Sequence, residues 1–171
     1  MIILIGGKAG CGKDTVGNII ENTIFCHREA FATELKEIAC HLGWNGIKDF
    51  RGRRLLQRLG SVGREYNPNT WIDPVVRRIN TAFFVDSRVH DAIITDFRFP
   101  NEYNKIVEKF PDHEVKTIKV TGRKKDLGHN AKDKSENSLN DFIFDATIVN
   151  SGTLQDLEGE VKALLKEWNL T

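Results

Sequence analysis

The chain has 171 residues, of which 40% are hydrophobic and 29% are charged, and its formal net charge is +1 at pH 7. This length suits one domain with a single hydrophobic core. A charge so close to zero gives no general attraction to nucleic acid or to an anionic membrane, so we expect neither as a partner. No apolar run approaches the ~20 residues of a membrane span. The three cysteines, an odd number, favour reduced thiols and a cytoplasmic location.

Strands and helices are predicted to alternate along the chain. We expect strands at continuous apolar, β-branched runs and helices where apolar residues recur every three or four positions. In chain order these are a strand at 1–5, a helix after the glycine-rich loop, a weak strand at 26–32, helices at 32–44, 51–65 and 69–84, a strand at 92–95, a helix at 100–110, a strand at 115–120, a short helix at 135–143, a strand at 145–150 and a helix at 153–168. This order predicts a three-layer α/β domain around a five-stranded parallel sheet.

Two segments fall outside this alternation. The first is the helical insertion at 43–84, whose second helix tolerates Pro74 only in its first turn. The other is the charged stretch at 122–136, which is too polar for a core. Because such segments commonly carry function, we interpret the insertion as a substrate cover and the charged stretch as a lid.

The stretch GKAGCGKDT at 7–15, here called the phosphate loop, nearly matches the pattern G-x-x-x-x-G-K followed by Ser or Thr. It follows an apolar strand and opens a helix, which is the context that the pattern requires. Its glycines let backbone N–H groups turn inward around phosphate oxygens, and the helix N-terminus adds partial positive charge. We expect Lys13 to reach the β- and γ-phosphates of a nucleotide, and to point into solvent when no ligand is bound. The predicted nucleotide contacts in this loop are Gly7, Gly10, Cys11, Gly12, Lys13, Asp14 and Thr15.

Asp14 stands where the common pattern has a hydroxyl group. A carboxylate beside a triphosphate repels it unless Mg²⁺ lies between them, and Mg²⁺ favours oxygen ligands and bound waters. We therefore predict that Asp14 holds Mg²⁺, directly or through water, while Thr15 offers its hydroxyl to the α-phosphate. On this interpretation the loop is a functional variant, neither damaged nor a chance match.

Five blocks, in the same order, resemble the deoxynucleoside monophosphate kinases encoded by bacteriophages, a branch of the P-loop nucleoside monophosphate kinases. The blocks are GKAGCGKDT, FATELKE, RRLLQRLGSVGREYNPNTWID, ITDFRFPNE and VNSGTLQDL. One further block departs, because that family often has a histidine where this chain has Asp133. The resemblance implies a P-loop kinase fold and the transfer of a phosphoryl group from Mg-ATP to a deoxynucleoside monophosphate. It also implies the host cytoplasm if the gene belongs to a phage.

The resemblance further implies an acceptor site after the third strand and on the arginine-rich helix. Asp96 and Arg98 follow a buried strand, at the edge where ligands bind in α/β sheets. Two structural alternatives stay open there: a helix cap for Asp96, and an ion pair with Glu102 for Arg98. Trp71 suits base stacking and core packing equally, and Lys36 suits either a phosphate contact or an exposed helix face. The predicted acceptor contacts are Lys36, Arg54, Gln57, Arg64, Trp71, Asp96, Arg98 and Glu102.

On the donor side, the resemblance makes Arg123 a lid arginine that folds over the phosphates and excludes water, which limits hydrolysis of the donor. Asn150, after the last strand, would border the adenine of ATP; a plain strand-to-helix turn is its alternative. The predicted catalytic residues are Lys13, Asp96, Arg98 and Arg123.

Three other functions remain as alternatives. One is a different small-molecule kinase of the same architecture, such as dephospho-coenzyme A kinase. A GTP-dependent switch is disfavoured because the chain has no N-K-x-D motif after a late strand. A nucleic-acid-dependent ATPase is disfavoured by the absence of a basic surplus. The sequence leaves open whether the chain forms a homodimer.

Overall fold

Five parallel strands form one sheet in the computed structural model, which describes residues 1–122 and 134–171. The strands are β1 (Ile2–Gly6), β2 (His27–Glu29), β3 (Ala92–Phe97), β4 (Val115–Gly122) and β5 (Ala146–Asn150). Their order across the sheet is β2-β3-β1-β4-β5, and all four neighbouring pairs are parallel. The predicted α/β class with a five-stranded parallel sheet is therefore confirmed.

The helices connect the strands and follow the predicted order. They are α1 (Lys13–Thr23), α2 (Ala32–His41), α3 (Phe50–Tyr66), α4 (Ile72–Val85), α5 (Pro100–Lys109), α6 (Lys134–Asn137) and α7 (Leu154–Glu167). The predicted helix at 135–143 ends at Asn137, and Phe142, within the predicted range, packs edge-on against Phe97. The weak strand predicted at 26–32 ends at Glu29, where the chain turns into α2.

Helices cover both faces of the sheet, as the three-layer prediction requires. Side chains alternate along a strand, so Ile3 and Ile5 of β1 face one side while Ile2 and Leu4 face the other. The first side packs against α1 and α7, and the second against α4 and α5. Both faces of β1 are therefore buried, which explains its uninterrupted apolar sequence.

The carboxyl ends of the strands meet at one edge of the sheet. Gly6, the last residue of β1, pairs with Phe97 on β3 and with Lys119 on β4, while Gly122 pairs with Asn150 across β4 and β5. Neighbouring strands lie about 4.8 Å apart, so the segments that follow Gly6 and Phe97 begin side by side. The loops in which we predicted the site therefore begin at this edge.

The insertion at 43–84 holds α3 and α4. Leu35 of α2 lies against Gly60 of α3, and the indole Nε1 of Trp71 donates a hydrogen bond of 3.0 Å to the Gly60 carbonyl. Val62 of α3 is 61% exposed, although it is apolar. Of the predicted lid at 122–136, residues 123–133 lie outside the described residues. Within the described part of the chain, no helix is both long and apolar enough to cross a membrane.

Candidate active site

The phosphate loop connects β1 to α1 through glycines in the left-handed region. Gly7 has φ of 141° and Gly12 has φ of 104°, and a Cβ at these positions would overlap the Val120 carbonyl and the Asn150 amide respectively. Helix α1 begins at Lys13 without a side-chain cap. The first turn of a helix directs backbone N–H groups toward an anion, as the motif requires.

Lys13 folds back onto the loop, which corrects our expectation that it points into solvent. Its side chain is only 8% exposed, and Nζ donates to the carbonyls of Gly7 at 2.7 Å and Lys8 at 2.9 Å. An ammonium group that loses water needs replacement acceptors, and these carbonyls supply them. A phosphate would offer stronger acceptors in the same place.

Asn150 lies beneath the loop with its side chain buried. Its Nδ2 donates a hydrogen bond of 2.9 Å to the carbonyl of Cys11, which is also buried. The side chain therefore supports the loop from the end of β5. The contact of Asn150 with adenine stays a prediction.

Asp14 occupies the first turn of α1, with its side chain 87% exposed. Its carboxylate lies 3.4 Å from Nη2 of Arg28, and Nη1 of the same arginine donates to Asn18 at 2.5 Å and to Glu21 at 2.6 Å. Among the described residues, no group of three or more His, Cys, Asp or Glu could hold a metal ion. An exposed carboxylate beside a phosphate site fits a hydrated Mg²⁺ that takes its remaining ligands from nucleotide and water.

Asp96 caps the start of α2, so the structure shows the alternative that the sequence left open. Its two carboxylate oxygens accept the backbone N–H groups of Phe31 at 2.7 Å and Ala32 at 2.9 Å. Each oxygen retains a second lone pair. A contact with the acceptor therefore stays a prediction for Asp96, in addition to its structural role.

Glu102 holds the turn that carries Arg98. Its buried Oε2 accepts the backbone N–H groups of Arg98 at 2.7 Å and Phe99 at 3.0 Å, as an acidic residue does in the first turn of a helix. Burial raises the pKa of Glu102 to about 8, although these hydrogen bonds and the charge of Arg98 oppose the rise. Nη1 of Arg98 donates to the Ser135 carbonyl at 3.0 Å. Glu102 therefore faces the backbone, and its predicted substrate contact stays untested.

Lys48 lies near the basic residues of the site, although the sequence did not predict it as a site residue. The pKa of Lys48 is lowered because neighbouring groups displace its water and because Lys36, Arg53 and Arg98 repel its charge, while Asp14 acts in the opposite sense. Nε of Arg53 also donates to the Lys48 carbonyl at 2.9 Å. Lys48 lies in a polar loop without a motif, so only the folded loop reveals it.

The other predicted acceptor residues lie on the insertion. Arg54 is exposed, and Gln57 and Arg64 are half-buried on the same helix, α3. Trp71 is 5% exposed and donates to Gly60, so the structure shows core packing for it. Arg123 falls outside the described residues.

A cavity of about 270 Å³ lies beside the phosphate loop. Its walls include Gly7, Cys11, Phe97, Val120 and Phe144, from the ends of three neighbouring strands and the segment before β5. Open space therefore exists where β1 and β3 end, next to the loop and to the turn that carries Arg98.

Comparisons with known proteins agree with the architecture. No established protein family matches the chain. It is 26% identical over 165 residues to the uncharacterized protein ORF77 of Ictalurid herpesvirus 1 (strain Auburn), which covers 95% of this chain and 69% of the viral protein.

Solved structures with a similar fold include TT1252, a shikimate kinase and a dephospho-CoA kinase. TT1252 from Thermus thermophilus has a TM-score of 0.54 at 21% identity, covering 98% of this chain and 97% of that one. Shikimate kinase from Aquifex aeolicus has a TM-score of 0.52 at 11% sequence identity, and the match covers 99% of both chains. Dephospho-CoA kinase from Campylobacter jejuni has a TM-score of 0.52 at 12% sequence identity, and the match covers 97% of this chain and 96% of that one. The chain therefore has the fold of the P-loop kinases.

Proposed function

We propose that this protein is a kinase that transfers a phosphoryl group from ATP to deoxynucleoside monophosphates, with Mg²⁺ as cofactor. The observation that carries the proposal is the pairing of Gly6 with Phe97 across the parallel strands β1 and β3. The phosphate loop begins directly after Gly6, and Arg98 comes directly after Phe97. A donor site and an acceptor site can therefore open side by side at one edge of the sheet.

The donor side is formed by the phosphate loop. Its inward N–H groups and the start of α1 suit the phosphates of ATP, and Lys13 would exchange its loop carbonyls for phosphate oxygens. Asn150 keeps the Cys11 carbonyl in place from below. Asp14 would hold Mg²⁺, which supplies positive charge to the β- and γ-phosphates when bound.

The acceptor side is formed by basic residues from several elements. Arg98 follows β3, Lys36 lies on α2 and Arg64 lies on α3. The positive charges of Arg98 and Lys36 also act on Lys48, whose pKa they lower. A guanidinium fork suits a terminal phosphate, because it donates two parallel hydrogen bonds. We infer that these groups orient the acceptor phosphate toward the γ-phosphate of ATP.

The reaction follows from this arrangement. An oxygen of the acceptor phosphate forms a bond to the γ-phosphorus while the bond to the β-phosphate oxygen of ATP breaks, which leaves ADP and a deoxynucleoside diphosphate. Charge spreads over the oxygens of the moving group, so catalysis requires positioning and fixed positive charge. Lys13 from the loop and Arg98 from the turn after β3 supply that charge from two sides.

The substrate class is supported by sequence features, since the fold alone suits several acceptors. The block at Asp96, Arg98 and Glu102 and the arginine-rich helix resemble the deoxynucleoside monophosphate kinases. Dephospho-coenzyme A is the second candidate acceptor, because the kinase for that substrate from Campylobacter jejuni shares the fold.

An initial-rate assay of ADP release tests the proposal. Purified protein and Mg-ATP are mixed with each of the deoxynucleoside monophosphates, the matching ribonucleotides and dephospho-coenzyme A, with Lys13→Met as the inactive control. We expect at least one deoxynucleoside monophosphate to raise ADP release far above the rate without acceptor. Rates at background with every nucleotide, and turnover only with dephospho-coenzyme A, would overturn the assignment.

A further inference from the structure

The guanidinium group of Arg64 lies close to two residues that the sequence did not connect to it. Its Cζ is 4.3 Å from the centre of the Phe99 ring. Gly60, one helical turn earlier on α3, is also adjacent, because a Cβ there would come within 3.3 Å of Nη1 and 3.4 Å of Nη2 of Arg64. The bare backbone of Gly60 and the ring face of Phe99 thus form two walls, here called the Arg64 seat.

Hydrogen bonds from neighbouring elements fix both walls of the seat. The N–H of Phe99 donates to the buried carboxyl group of Glu102 at 3.0 Å. The carbonyl of Gly60 accepts from the indole of Trp71 at 3.0 Å. Asn101, within the same turn as Phe99, donates through Nδ2 to the Pro68 carbonyl at 3.2 Å. The seat therefore joins α3, the loop after it and the start of α5.

We propose that Phe99 is a positioning residue, whose ring sets Arg64 beside Arg98 so that both guanidinium groups meet the phosphate of the acceptor. Phe99 follows Arg98 directly, so one turn would control both arginines. Stacking uses the flat face of the guanidinium group, whereas its N–H donors lie in its plane. Stacking is thus compatible with hydrogen bonds to a phosphate. This inference rests on the function proposed above.

The Arg64 seat predicts that substitutions in it change the KM for the monophosphate but not the KM for ATP. A long arginine side chain loses conformational freedom when it binds a ligand, and prior ordering by the ring reduces that loss on binding. Phe99→Leu removes the ring face and keeps an apolar side chain. From the strength of cation–π contacts we expect KM for the monophosphate to rise about 2- to 30-fold, with KM for ATP unchanged.

The experiment compares steady-state kinetics of five variants with the wild type: Phe99→Leu, Phe99→Tyr, Arg64→Met, the double variant of Phe99→Leu and Arg64→Met, and Phe25→Leu. Phe99→Tyr retains a ring face and should restore the wild-type KM for the monophosphate. Phe99→Leu should add little to Arg64→Met, because the arginine that the ring positions is then gone. The matched control is Phe25→Leu, since Phe25 also lies under an arginine, with Cζ of Arg88 at 5.3 Å, but precedes β2 at the opposite edge of the sheet. That control should leave both KM values unchanged.

Several outcomes would overturn the inference. One is an unchanged monophosphate KM in folded Phe99→Leu, and another is a full additional effect of Phe99→Leu in the Arg64→Met background. If Phe99→Leu does not fold, Gly60→Ala tests the other wall, because its Cβ would lie 3.3–3.4 Å from the guanidinium nitrogens and make them shift by a few tenths of an ångström. An unchanged KM would then contradict the seat. A wild type that phosphorylates no monophosphate would instead reject the proposed function, and the inference with it.

Discussion

The side-chain amide of Asn150 donates a 2.9 Å hydrogen bond to the backbone carbonyl of Cys11, and both residues are buried. The hydrogen bond connects the end of β5, an outer strand of the sheet, to the phosphate loop after the central strand β1. Gly12 leaves room for the same amide, because a Cβ at that position would overlap it. The shape of the loop therefore depends on a residue near the other end of the chain.

Replacing Asn150 should loosen the phosphate loop. Asn150→Ala leaves the buried Cys11 carbonyl without its donor, which costs about 1–3 kcal/mol in the free energy of unfolding. We also expect a higher KM for ATP and little change for the monophosphate. Urea unfolding and steady-state kinetics check both, with the exposed Asn80→Ala as control. Wild-type stability and an unchanged KM for ATP would show that the loop keeps its shape unaided.

Lys13→Met should lower turnover about 10²- to 10³-fold, the range for loss of one preorganised donor to a transition state. Because Lys13 also donates to the Gly7 and Lys8 carbonyls, we expect a loss of about 0.5–3 kcal/mol in unfolding free energy as well. Turnover and urea unfolding are measured beside Lys162→Met, which removes an exposed lysine on α7. A folded Lys13→Met protein that keeps more than half its activity contradicts the phosphate-loop assignment.

Asp14 should govern the requirement for Mg²⁺. Asp14→Asn removes the negative charge of an exposed carboxylate and keeps its size, so more Mg²⁺ should be needed for half-maximal rate. The KM for the monophosphate should change less. Titration of the rate with Mg²⁺ at saturating nucleotide measures the shift. If the titration curves of variant and wild type coincide, Asp14 serves another purpose.

Glu102 should make stability depend on pH. Its pKa rises from 4.5 to about 8 on folding, mainly because it is buried, so the folded protein binds its proton more tightly than the unfolded chain. This contribution to stability is fully present below pH 4.5 and is lost as the pH rises toward 8. Glu102→Gln is neutral throughout and can still accept both N–H groups. Urea unfolding across this range should show a weaker fall in stability for Glu102→Gln; parallel curves would contradict the shift.

The sheet and the phosphate loop could be predicted because their patterns are local. Buried parallel strands have continuous apolar sequences, and the glycines of the loop stand directly between a strand and a helix. Helix α6 was predicted too long because a local pattern does not show tertiary contacts such as that of Phe142 with Phe97.

The site was less predictable because its contacts join distant segments. Lys48 reaches the basic residues of the site through the fold of a loop without a motif. Lys13 turns inward because carbonyls of its own loop accept hydrogen bonds from its ammonium group. The cap that Asp96 provides depends on where α2 begins in space. No pattern in either segment connects Arg64 with the ring of Phe99.

The central claim is that the two substrates occupy neighbouring sites, with ATP on the loop after β1 and the monophosphate at the turn after β3. Arg98→Ala, measured by the kcat/KM for the monophosphate and by Mg-ATP binding alone, tests this division most directly. Loss of a charge-assisted bidentate contact should lower kcat/KM roughly 10- to 200-fold, equivalent to about 1.5–3 kcal/mol, while ATP binding hardly changes. A collapse of ATP affinity with an unchanged KM for the monophosphate would instead place Arg98 on the donor and contradict the account.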